Sequence, residues 1–187
     1  MKKIIALGAS SSKNSINKTL AIHVASKVAD ASITVLDLND YKLPLYNVDA
    51  EEESGIPEAA HQFNNIIQSA DGLVISLAEH NGTYTAVFKN LFDWLSRIDI
   101  KVWKDIPMFL LATSPGGQGG GTVLAAAKSG FPYMGGNIIV DFSLPSFYEN
   151  FSNAGITNSE LSSILNEKIG LFEHSLEQEE ADIHQKL

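Results

Sequence analysis

The chain has 187 residues, 44% hydrophobic and 19% charged, which is long enough for one domain with a buried core and too apolar for a disordered one. Its formal net charge of -9 argues against nucleic acid and anionic membrane surfaces as partners, because their phosphates would repel it. It contains no cysteine. That removes disulfides, thiolate metal sites and cysteine nucleophiles and is compatible with a cytoplasmic location, the one expected.

In chain order, Ile4 to Gly8 is an apolar run too short for a signal peptide, and it predicts a first strand. Ser15 to Val28 has helical spacing, with Leu20, Val24 and Val28 on one side. Ser32 to Leu38 is rich in β-branched residues and predicts a second strand, followed by a long surface connection from Asn39 to Pro57. A helix is predicted over Glu58 to Ser69. The run Gly72 to Leu77 has the pattern of a buried third strand.

Glu79 to Thr85 is a polar loop, and Ala86 to Arg97 a helix. Val87, Phe88, Leu91, Phe92, Trp94 and Leu95 place apolar residues around much of that helix, more than one sheet face requires, so a second subunit is expected to cover part of it. Ile106 to Thr113 is a fourth, apolar strand; Ser114 to Gly121 is the most glycine-rich loop; Thr122 to Ser129 suits a helix and Asn137 to Phe142 a fifth strand. Thr157 or Asn158 is placed to cap a last helix, whose end, residues 173–187, is charged and expected to fray. No run of 18 apolar residues exists, so no membrane span is expected.

Alternating strands and helices predict an α/β domain spanning residues 1–187, with a parallel sheet covered on both faces. Ligands of such sheets sit beyond the carboxyl ends of the strands. The polar and glycine-rich loops follow strands one, three and four, and so converge on one sheet edge.

Each loop offers a distinct chemistry. In the first, Ser10, Ser12, Ser15, Ile16 and Asn17 combine hydroxyls and a side-chain amide with the unpaired amides of a helix start, a cradle for a phosphate. The segment is neither a Walker loop nor a Gly-x-Gly-x-x-Gly fingerprint. In the second, Glu79, His80, Asn81, Gly82 and Thr83 offer a flat surface and hydrogen-bonding groups to a planar ring. In the third, Ser114, Pro115, Gly116, Gly117 and Gln118 open a stretch with five glycines in the six positions 116–121, where backbone can approach a heterocycle closely. The histidines are scattered without ligand spacing, so no metal site is expected. No Gly-x-Ser-x-Gly elbow points to a hydrolase.

At these loops the sequence resembles the NADPH-dependent FMN reductase family of quinone, azo and chromate reductases. Ala9 to Asn17 is similar to the family's Gly-Ser-x-Arg-x-x-Ser-x-Asn segment, with Ser12 where arginine is usual and Lys13 beside it. Ala78 to Trp94 is similar to its Pro-Glu-Tyr-Asn-Gly-Ser-Tyr-Pro-Gly-x-Leu-Lys-Asn-x-x-Asp-Trp segment, with His80 in place of a ring-flanking tyrosine. The resemblance implies a flavodoxin-like three-layer sandwich with strand order 2-1-3-4-5, FMN as cofactor, and NADPH or NADH as electron donor. It also implies a small-molecule acceptor and a homodimer or homotetramer. The chemistry is then the flavin's own and needs no side-chain acid or base. His80, which can carry charge near neutral pH, becomes a candidate for tuning the flavin's redox balance. The rival readings are a flavodoxin-type electron carrier, which the acidic surface suits, and a binding module without enzymatic activity.

Overall fold

The computed structural model describes residues 1–185, with side chains through residue 178. Strand β1 (Lys2–Ala9) leads into helix α1 (Ile16–Ala25), β2 (Ala31–Leu36), α2 (Val48–Ser54) and α3 (Glu58–Gln68). Next come β3 (Gly72–Leu77), the short pair β4 (Glu79–His80) and β5 (Thr83–Tyr84), α4 (Ala86–Ile98), β6 (Pro107–Thr113) and α5 (Gly121–Gly130). The chain continues through β7 (Asn137–Leu144), α6 (Phe147–Asn150), a second short pair β8 (Phe151–Ser152) and β9 (Gly155–Ile156), and α7 (Ser159–Gln185).

The sheet runs β2-β1-β3-β6-β7, all parallel. Counting only its own strands, that is the expected 2-1-3-4-5 order of a flavodoxin-like sandwich. Alternation along the strands feeds two cores. Ile5, Leu7, Leu73, Ile75 and Leu110 face α3, α4 and α5, while Ile4, Ala6, Val74, Phe109 and Leu111 face α1 and α7. Covering on both faces explains why β3 and β6 read as unbroken apolar runs.

The expected connection over 39–57 contains a helix, α2. Asn47 caps it by accepting from Ala50 N, and the acidic residues Asp49 and Glu51 in its first turn favour the positive end of the helix dipole. The polar loop after β3 is a hairpin. Asn81 and Gly82 both have positive φ, 52° and 76°, the geometry of a two-residue type I′ turn, which the Asn-Gly pair favours.

Much of the apolar surface of α4 is covered within the chain. Trp94 is buried, donates from Nε1 to Pro44 O at 2.9 Å and meets the Tyr46 ring edge-on. Phe88 and Phe92 stack on Trp103 beside Phe131. Phe88, Leu91, Trp94 and Leu95 are buried within the chain, and Val87 and Phe92 are half-buried against the same core. Helix α1 ends at Ala25, three residues short of expectation, because tighter turns from Lys27 N to Val24 O and Val28 N to Ala25 O replace the helical pattern. Asn158 caps α7, accepting from Glu160 N and Leu161 N. Fraying is expected over residues 173–187; the backbone is helical through Gln185, and residues 186–187 lie outside those described.

Candidate functional site

The chain leaves β1 at Ala9 and enters α1 at Ile16, and the turn between them is held close to the sheet. A Cβ on Gly8 would lie 2.4 Å from the backbone N and Cα of Lys18, so only glycine lets α1 pack this tightly on β1. Ser15 caps α1, its hydroxyl oxygen accepting from Lys18 N at 3.1 Å while its proton stays free to donate. The N–H groups of Ile16 and Asn17, the first two of the helix, have no acceptor among the described residues.

The Asn17 side chain works as a strut. It is 3% exposed. Its Nδ2 donates to Thr113 O at 3.0 Å, and its Oδ1 accepts from the Ser76 hydroxyl at 2.7 Å and Thr113 N at 3.0 Å. One side chain thus locks the start of α1 to the carboxyl ends of β3 and β6. Its main contribution toward a ligand is the backbone N–H.

The hairpin and the glycine loop are joined in the same way. A Glu79 carboxylate oxygen accepts from Val123 N at 2.9 Å and so caps α5, whose own N-cap position, Gly120, has no side chain to do so. Thr85 caps α4 and donates to Ala9 O at 2.9 Å. In the third loop Gly119 and Gly120 have positive φ, and a Cβ on Gly119 would lie 2.3 Å from Ser143 Oγ, so these two glycines serve packing. Gly116 and Gly117 differ: a Cβ there would meet nothing within 4 Å. The N–H groups of Gly116, Gly117 and Gln118 have no acceptor among the described residues.

These segments enclose an open pocket of about 220 Å³. Of the residues expected from sequence, Ser10, Ser12, Ser15, Ile16, Asn17, Glu79, His80, Ser114 and Pro115 line it. Asn81, Gly82, Thr83, Gly116, Gly117 and Gln118 lie exposed on the adjoining loop segments and do not line it. The pocket also takes in Asn14, Ala78, Thr113 and Tyr148, which sequence reasoning missed. Asn14 and Thr113 adjoin residues already chosen. Tyr148 sits after β7, and the convergence rule that singled out three loops applies equally to the loop after the last strand.

No Lys or Arg lines the pocket. Lys18 is engaged elsewhere, its Nζ paired with Asp37 Oδ2 at 2.5 Å. That hydrogen bond, with another from Asn39 N, holds the Asp37 carboxyl below its ordinary value. An anion here would rely on helix amides and hydroxyls. Among the described residues no cluster of His, Asp and Glu could hold a metal ion, and no helix is long and apolar enough to cross a membrane.

The family model described as NADPH-dependent FMN reductase matches residues 2–149. The chain belongs to this family. Within it, the chain is 38% identical over 119 residues to a 2-hydroxy-1,4-benzoquinone reductase of a Burkholderia species, a match covering 63% of each chain. A quinone reductase of Escherichia coli (strain K12) is 33% identical over 119 residues, again 63% of each. The match therefore spans less than two thirds of the length of these relatives. Among solved structures, the flavoenzyme FerB, an NAD(P)H:acceptor oxidoreductase from Paracoccus denitrificans, superposes with a TM-score of 0.74 at 24% identity. That superposition covers 95% of this chain and 98% of FerB, and at this identity it speaks for the shared fold.

Proposed function

We propose that this protein is a single-domain NAD(P)H-dependent oxidoreductase that binds FMN at the edge of its sheet and reduces a quinone or a similar small acceptor. The observation that carries this reading is the donor set of the pocket in a member of this family. The free N–H groups of Ile16 and Asn17, with the hydroxyls of Ser10, Ser12 and Ser15, fit a phosphate monoester at a helix start. The residues present also fit the rest of the cofactor. Gly116 and Gly117 leave open space beside unpaired backbone donors, and the hairpin carrying Glu79 to Thr83 packs on the start of α5, its Gly82 close to Thr122.

Bound FMN would supply hydride acceptance from a nicotinamide and electron delivery to the acceptor. The chain's part is to position it. Asn17 and Glu79 fix the three loops relative to one another, so the groups around the cofactor need little reorganisation during turnover. Asn81, Gly82, Thr83 and Gln118 are proposed to contact the ring edge. His80, exposed on the pocket wall, is proposed to tune the redox balance, which His80→Tyr would reveal as a shifted midpoint potential. A cytoplasmic location and a dimeric or tetrameric assembly belong to the same reading and rest on family membership. Light scattering tests the assembly.

The direct test is steady-state oxidation of NADPH and NADH by FMN-loaded protein, with and without a benzoquinone. Quinone-dependent turnover is expected with at least one nicotinamide. FMN binding without turnover on either would identify an electron carrier instead.

A further inference from the structure

Tyr148 is the one residue of the pocket's lining contributed by the segment after β7. It is 72% exposed, and its hydroxyl has no partner among the described residues. What sets Tyr148 apart is its place in the pocket lining, with a free hydroxyl that can donate to a ligand there.

Its backbone, in contrast, is firmly held. Ser146 N donates to Gly116 O at 2.9 Å and Phe147 N to Ser114 O at 3.0 Å, so α6 is tied directly to the glycine loop. Asn150 Nδ2 closes the turn onto Pro145 O at 2.9 Å. Phe147 is buried and stacks on Phe151 with ring centroids 4.8 Å apart. Phe147 also meets the Tyr148 ring edge-on at 5.6 Å. Ser146 adopts a left-handed conformation, φ 45°, that a non-glycine residue takes up only when its surroundings impose it. The result is a well-anchored mount carrying one exposed phenol on a pocket that the start of α1 also lines.

We propose that Tyr148 is a ligand-contacting residue that closes the phosphate end of the pocket and donates its hydroxyl to the bound phosphate. The inference rests on the FMN reading above and goes beyond it. It follows from what the pocket lacks as well as from what it holds. With no Lys or Arg in the lining, the anion is met by helix amides and serine hydroxyls from one side. A phenol donor from the α6 side completes the shell and shields it from water. Lys13 is exposed and outside the lining, so in this account it acts only through its long-range charge.

The test is a titration of the parent and Tyr148→Phe with FMN and with riboflavin, which lacks the phosphate. The substitution removes one oxygen from an exposed ring, so the fold stays intact, and circular dichroism checks this. The parent should prefer FMN. Tyr148→Phe should weaken FMN binding about tenfold, as for a lost hydrogen bond to a charged group, and leave riboflavin unchanged. That loss should persist at high salt, whereas the loss in Lys13→Ala should shrink with salt.

If the parent prefers FMN and Tyr148→Phe keeps the full preference, the proposal fails and the FMN reading stands. Equal losses for FMN and riboflavin would also overturn it, since the hydroxyl would then serve the part the two ligands share. A parent that binds both equally would sink the phosphate cradle, and the proposal with it.

Discussion

Replacing Asn17 by alanine should cost stability and cofactor affinity together. The side chain is buried and makes three hydrogen bonds, to Ser76, Thr113 N and Thr113 O. Truncation leaves a hydroxyl, an amide and a carbonyl without their partner. Each unpaired buried group costs about 1–3 kcal/mol. The Ser76 hydroxyl can rotate, and water can enter from the adjoining pocket, so the expected total is about 2–4 kcal/mol rather than the full sum. That is a large share of the ~5–15 kcal/mol that holds a domain together. Urea unfolding followed by circular dichroism measures it, and an unchanged slope would show that the midpoint shift reports stability alone.

The same strut orients the start of α1 against Thr113, so FMN affinity should fall as well. Asn17→Asp separates the two effects. Its carboxylate keeps the shape but sets an oxygen against Thr113 O and a negative charge beside the anion site, so it should weaken FMN more than riboflavin. A loss below about 1 kcal/mol in Asn17→Ala would refute the strut.

His23 provides a pH test. Burial first, and the nearby Lys27 second, push its pKa below the ordinary 6.5. Its ring meets Phe151 edge-on and lies against Gly155. The folded state therefore binds fewer protons than the unfolded chain as pH falls below 6.5. Stability should be full above that value and decline beneath it, and His23→Leu should flatten this part of a stability-versus-pH curve. Gly8→Ala should fold poorly or not at all, because its Cβ would meet Lys18 backbone, which cannot move without shifting α1; expression yield and thermal melting report it. Glu79→Gln keeps an oxygen for Val123 N but removes the charge at the start of α5, so a loss of about 0.5–1 kcal/mol is expected in urea unfolding.

The strands were legible because burial on both sides leaves a continuous apolar signature, as in Leu73 to Ile75 and Met108 to Ala112. The position of the pocket was legible because loops after parallel strands converge, and Ser15 carried its capping role openly in its type and place. The roles within the site were harder to see. Nothing local distinguishes Asn17 as a strut from Asn17 as a ligand donor, since its partners lie 59 and 96 residues away. Glu79 likewise spends one carboxylate oxygen on a helix start 44 residues on.

Two features carried local signals that went unused. Asn81-Gly82 marks a hairpin turn, and Asn47, followed by Asp49 and Glu51, marks the start of α2. The cover of Trp94 on α4 was not legible, because the segment around Pro44 and Tyr46 has no helical or strand periodicity of its own.

The central claim is that these loops hold a flavin which a nicotinamide can reduce. The measurement that tests it most directly is the visible spectrum of FMN-loaded protein under anaerobic conditions, recorded before and after stoichiometric NADPH or NADH and again after a benzoquinone. The account predicts a protein-bound flavin spectrum that bleaches with at least one nicotinamide and returns with the quinone. Protein that takes up no FMN, or a bound flavin that neither nicotinamide bleaches, would contradict it.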